Sequence, residues 1–145
     1  MSRPQQDKRR LVPENYPLRF ETRALYSDVD NNVAYARWFE EGRAQLNERV
    51  SGAGRLLNPP PGVQLLLVSI HIEYLEQVPY PSAVTVAAGV SRIGAASYGI
   101  AHGLFHDGRC AALGDSVVVQ ARDGRPARLT AEERAALEPL GAFRS

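Results

Sequence analysis

From Leu18 the chain alternates strictly, with Leu18, Phe20, Thr22 and Ala24 on one side and Arg19, Glu21 and Arg23 on the other. A period of two is that of a strand with one face buried. The period then lengthens. Tyr35, Trp38, Phe39, Gly42, Leu46 and Val50 fall on one stripe at helical spacing, while Glu40, Glu41, Gln45 and Glu48 lie mostly off it. This predicts an amphipathic helix capped by Asn31 or Asn32. Gly42 stands on the apolar stripe, where glycine costs about 1 kcal/mol against alanine, so close approach of another backbone is the expected compensation. Ser51-Gly52-Ala53-Gly54 ends the helix, and Asn58-Pro59-Pro60-Pro61-Gly62 makes a stiff connection.

Beyond that connection the period returns to two. Leu66, Val68, Ile70, Ile72 and Tyr74 alternate against Leu67, Ser69, His71 and Glu73, and further strands are expected over Val84 to Ile93, Ser97 to Phe105 and Cys110 to Ala121. Asp107-Gly108 signals a tight hairpin between the last two. Thr130 and Glu133 form a capping box for a short helix through Leu137, stopped by Pro139. The order is strand, long helix, consecutive antiparallel strands and a small terminal helix, which makes an α+β layer fold with one curved sheet wrapped around one helix. Residues 1–13 lack apolar periodicity and are expected to be a mobile tail, leaving 14–145 as a single domain.

Composition narrows the partners. The 145 residues are 44% hydrophobic and 23% charged with a formal net charge of +1, so no global field gathers nucleic acid or an anionic membrane. The lone Cys110 excludes an internal disulfide, and no signal peptide or long apolar run is present. A cytoplasmic location is expected.

Candidate chemistry concentrates in Tyr26 to Arg43, where the acidic loop Tyr26-Ser27-Asp28-Val29-Asp30 runs into the helix start. The first backbone N–H groups of a helix have no acceptor within it, so those around Asn32 and Val33 can stabilise an oxyanion, while Asp30 or Asp28 can act as base or nucleophile. The plainer alternative is that these acids only cap the helix and favour its dipole. His71, His102 and His106 show no ligand spacing and Cys110 has no neighbour at such spacing, so no metal is expected. Cys110 reads as a small buried hydrophobe. No G-x-S-x-G, P-loop or G-x-G-x-x-G occurs, which argues against serine hydrolases, nucleoside triphosphatases and dinucleotide enzymes.

The helix opening N-N-V-A-Y-A-R-W-F-E-E-G-R, the run Val68 to Val78 and the bend Arg92-Ile93-Gly94-Ala95-Ala96-Ser97-Tyr98 together resemble the hot-dog fold acyl-CoA thioesterases of the 4-hydroxybenzoyl-CoA thioesterase type. The resemblance covers about Pro17 to Leu137. In that family the loop reads D-x-D-x-x-G-H-V-N-N and its second Asp is catalytic. Here the start and the Asn pair match but the Gly-His is missing; anchored on the strand the catalytic acid is Asp30, anchored on the helix Asp28 competes. Some relatives carry the catalytic carboxylate on the helix, which makes Glu41 a third candidate. The family's coenzyme A phosphates meet basic residues near the bend, where this chain has Ala95 and Ala96 and leaves Arg92, with Ser97 and Tyr98 beside it, as substrate contacts.

The resemblance implies hydrolysis of acyl-CoA or another acyl thioester to acid and thiol, with no cofactor, in a homodimer or homotetramer whose sheets pair edge to edge around the acyl site. The shortened loop keeps a non-catalytic acyl-binding or acyl-CoA-binding protein as the alternative. A dehydratase or isomerase on this fold would need a His placed with the acid, and no such element stands beside the helix.

Overall fold

A computed structural model describes residues 8–25, 32–51 and 62–143. Its elements are β1 (Leu18–Ala24), α1 (Asn32–Ser51), β2 (Val63–Tyr74), β3 (Ser82–Ile93), β4 (Ser97–His106), β5 (Arg109–Arg122), β6 (Arg125–Pro126) and α2 (Ala131–Leu137). The strands form one antiparallel sheet in the order β1-β3-β4-β5-β2, with β6 added to β5. This is the hot-dog arrangement, the sheet curved around α1. Asp107 and Gly108 both take positive φ (49° and 73°) in the β4–β5 hairpin, as the Asp-Gly pair requires. A second Asp-Gly pair, Asp123-Gly124, does the same between β5 and β6.

The helix packs on the inner face of the sheet and divides the core lengthwise. Toward its start, Ala34, Tyr35, Trp38 and Phe39 join Val78, Val84, Val86, Leu104 and Ala112. Toward its end, Leu46 and Val50 join Val90, Tyr98, Ile100, Val118 and Leu137. Burying each of these large side chains is worth about 1.5–3 kcal/mol, and this stripe is the one the helical spacing predicts. A Cβ on Gly42 would lie 3.4 Å from Val86 Cγ1, 3.6 Å from Ala88 Cβ and 3.8 Å from His102 Nδ1. Side chains of the sheet, not another backbone, approach Gly42.

β2 departs from the single alternation expected of it. Its register on β5 slips between Leu67 and Ser69, so Val68 is an extra, bulged residue. Before the bulge Leu65 and Leu67 stand opposite Gln120 and Val118; after it Ile70, Ile72 and Tyr74 stand opposite Ser116, Gly114 and Ala112. Cross-strand partners share a face, so Leu66 belongs to the outer face while Ile70, Ile72 and Tyr74 belong to the inner one. A bulge shifts the phase of the pattern without leaving a gap in it, which is why a period of two hides it.

The middle of the outer face, around Gly89 and Gly114, is covered by the two ends of the described chain. Arg10 donates to Asp115 Oδ2 and to the Gly114 carbonyl, both at 3.0 Å, and its own carbonyl accepts from the Tyr16 hydroxyl at 2.9 Å. Phe143 N donates to the Asn15 carbonyl at 2.7 Å, Ala142 N to the Val90 carbonyl at 2.9 Å, and the Phe143 ring meets Tyr16 edge-on. Gly89 lies under this crossing, where a Cβ would come within 2.6 Å of Pro17 and 2.8 Å of Ala142. What holds residues 8–11 is polar and stacking contact, to which an apolar period is blind.

Candidate functional site

The start of α1 lies at one end of the sheet. Ala24, Ser82, His106, Arg109 and Tyr74 all fall at that end by strand register, so β1 delivers the chain to it and α1 leaves from it. Asp28 and Asp30 lie outside the described residues, between Leu25 and Asn32. Val33 is 70% exposed while the next residue, Ala34, is fully buried, so the first turn sits with one side on the core and one open. Tyr35 packs edge-on against Trp38 on its own helix and against Tyr74 at the end of β2, with ring centroids 5.6 Å and 5.1 Å apart.

The other sequence-predicted residues are not brought to this point within one chain. Glu41 is exposed on α1, nine residues after Asn32 or ~14 Å along the helix, and accepts from Gln45 Nε2 at 3.4 Å. Arg92, Ser97 and Tyr98 form the bend at the opposite end of the sheet, where Ser97 stands opposite Val119. Arg92 is exposed there and Ser97 half-buried. Tyr98 is fully buried, its hydroxyl donating to Asn47 Oδ1 at 2.5 Å, so its ring belongs to the core of the single chain.

Two polar clusters lie apart from the proposed site residues, although Arg43 and Glu76 fall inside the stretches that carry the family resemblance. Under the middle of α1 the buried His102 ring stacks on Phe39, and its Nε2 lies 2.9 Å from Ser116 Oγ, which also accepts from Arg43 Nη1 at 3.4 Å. The Ser116 hydroxyl can then donate to Nε2, which leaves the proton of the neutral ring on Nδ1, a buried atom with no hydrogen-bond partner among the described residues. Burial, with the charges of Arg43 and Arg10 added, holds His102 down at about 3. It is a neutral core residue at ordinary pH. The second cluster flanks the helix start: Glu76 Oε1 lies 3.0 Å from His106 Nε2 and Glu76 Oε2 accepts from Arg109 Nη2 at 2.9 Å. Together with Val78, Pro79 and Tyr80 these side chains line an open cleft of ≈ 620 Å³. Glu76 is 30 residues from His106 and 33 from Arg109 in the chain, so no local spacing announces the cluster; the hairpin signal at Asp107-Gly108 places only His106 and Arg109 beside each other.

Cys110 is partly buried on the outer face and burial pushes its thiol up to about 11, which suits the small hydrophobe expected of it and not a nucleophile. Among the described residues no three His, Cys, Asp or Glu side chains gather into a metal site, and no helix is long and apolar enough to cross a membrane.

Residues 22–137 match the family model described as the thioesterase-like superfamily. Among solved structures, a Pseudomonas aeruginosa protein is similar at 26% identity and a TM-score of 0.76, over 93% of this chain and 99% of that one. A Thermus thermophilus thioesterase, crystallised with coenzyme A and zinc, is similar at 23% identity and a TM-score of 0.77, over 88% of this chain and 96% of that one. No curated protein matches the chain significantly.

Proposed function

This chain belongs to the thioesterase-like superfamily, and from that premise we propose that it hydrolyses an acyl thioester, acyl-CoA foremost, at a site completed by a second copy of itself. The observation that carries the proposal is the separation of the candidate residues to opposite ends of one sheet, together with what lies on its β2 edge. That edge exposes Leu66, Leu67, Val68, Ile70 and Tyr74, each more than 40% open. Apolar residues in such a row on an edge strand that no described strand covers favour pairing. Two copies joined β2 to β2 about a two-fold axis run antiparallel, so the Val63 end of one lies beside the Tyr74 end of the other. The Arg92–Ser97 bend of one copy then comes to the side of the sheet where α1 of the other begins. Substrate contacts and helix start meet across the pair.

In this site the acyl carbonyl docks at the first turn of α1, whose outward N–H groups receive the oxyanion; one such donor is worth about 3–4 kcal/mol. Asp30 takes a proton from water as it attacks, or attacks the carbonyl itself to give a mixed anhydride that water then hydrolyses, freeing Asp30. The carbon–sulfur bond breaks, the thiolate leaves and takes a proton, and the acid is released. The Thermus relative's bound coenzyme A supports the choice of thiol, and Arg92 is the cation proposed for its phosphates.

A thiol-release assay over short, long and aromatic acyl-CoA substrates tests this. Asp30→Asn, which keeps size and capping ability, is expected to lose at least about a hundredfold in kcat/KM with little change in stability, and Asp28→Asn to lose less. The reverse ranking makes Asp28 the base; no change in either transfers the role to Glu41. No thiol release by the wild type from any substrate overturns hydrolysis in favour of an acyl-binding protein.

A further inference from the structure

From the end of β2 toward β3 the chain passes beside the start of α1, and Tyr74 and Val78 both meet the cluster there. The Tyr74 ring packs edge-on against Tyr35, and Val78 is buried in the same apolar cluster as Ala34, Tyr35 and Trp38. Glu76 stands midway between them. Its carboxylate uses both oxygens on the β4–β5 hairpin, one toward His106 Nε2 at 3.0 Å and one toward Arg109 Nη2 at 2.9 Å. The backbone repeats the link, since Leu75 N and Glu76 N both donate to the Ala111 carbonyl, at 2.9 Å and 3.1 Å.

The two partners differ in character. The His106 side chain is 9% exposed and that of Arg109 is 70% exposed, so one holds the carboxylate from inside the structure and the other from its rim. Asp107 Oδ2 lies 3.7 Å from His106 Nδ1, too far for a hydrogen bond. Two independent anchors on one carboxylate fix its position much more tightly than a single exposed ion pair, because swinging away from either partner breaks the other.

We propose that Glu76 is a positioning residue: clamped to His106 and Arg109, it sets Tyr74 and Val78 against Tyr35 and so holds the first turn of α1 in register for the oxyanion. Its catalytic consequence rests on the thioester hydrolysis proposed above; its structural consequence does not. A displacement of the helix start far smaller than a residue's length is enough to misplace the N–H donors, and losses of up to about a hundredfold follow from shifts near 1 Å.

Trp38, the chain's only tryptophan, is 5% exposed in the cluster that holds Val78, so its emission reads this packing directly. In the full-length protein, Glu76→Ala is expected to shift Trp38 emission to the red and increase acrylamide quenching well below the unfolding temperature. It is also expected to lower kcat about tenfold with KM held within about twofold. Glu76→Gln retains an oxygen for Arg109 and an amide toward His106, and is expected to restore most of both signals. Unchanged emission and kcat in Glu76→Ala overturn the proposal, as does a loss confined to KM, or a Gln variant no better than Ala. If Glu76→Ala fails to fold, Arg109→Gln decides, with a smaller red shift expected and no shift overturning the idea. A wild type that releases no thiol defeats the hydrolytic reading alone, and the emission of the variants still decides the clamp.

Discussion

At the scale of single residues, His102 links burial to acid stability. Its folded pKa of about 3 lies below the ordinary 6.5, chiefly through desolvation, so the unfolded chain binds a proton that the native state refuses. Stability from this residue is complete above pH 6.5 and is lost as pH falls from there toward 3. Between pH 6.5 and 5 the expected loss is about 2 kcal/mol. Chemical denaturation at both pH values checks it, and His102→Leu is expected to flatten that part of the profile; an unaltered slope in the variant would assign the acid sensitivity to other groups. His102 and Glu76 show what single residues conceal in a sequence. A histidine inside a period-two strand reads as a sheet residue, and so His102 proves to be, but that Ser116 and Arg43 surround it depends on strand register that no local spacing encodes. The acids of the loop are the opposite case: residue type and position before a helix mark Asp28 and Asp30 as candidates, and their loop lies outside the described residues.

Elements were the most legible level, because each rests on a repeating physical demand. The apolar stripe of α1, the capping box of α2 and the Asp-Gly hairpin all take the places their patterns predict: Thr130 Oγ1 accepts from Glu133 N at 3.0 Å while Glu133 Oε1 accepts from Thr130 N at 2.9 Å. Missed were features that interrupt a demand without replacing it, the Val68 bulge and the two-residue β6. On α1 the packing around Gly42 permits a graded test. A methyl group at Gly42 meets its nearest neighbour at 3.4 Å, ordinary contact, so Gly42→Ala is expected to gain up to about 1 kcal/mol from helix propensity. Gly42→Leu must push into Val86, Ala88 and His102 and is expected to cost about 1–3 kcal/mol or more. Gln45→Leu, off the stripe, should melt near the wild type. Equal melting temperatures for the two leucine variants, followed by circular dichroism, would mean that α1 presents a different face to the sheet.

For the whole molecule the prediction is assembly. With the β2 edge apolar and unpaired among the described residues, light scattering at micromolar concentration is expected to give a dimer or tetramer, and Ile70→Asp, which sets a charge on the inner face of that strand, a monomer that has lost thiol release. A monomeric wild type would dismantle the shared site. The pairing proposed for the subunits was expected from the family resemblance; what the sheet adds is that the helix start and the Arg92 bend stand at its opposite ends. The covering of the outer face has a different consequence. Because Asn15 and Phe143 are hydrogen-bonded to each other and Pro17 and Ala142 cross over Gly89, the path from Asn15 to Phe143 is very nearly a closed ring, with the sheet standing between that seam and the helix. A ring has no privileged beginning: with Asn15 and Phe143 spliced by a short linker and the chain reopened at the exposed Asp123-Gly124 turn, a circular permutant is expected to keep β1 to β5 in their order.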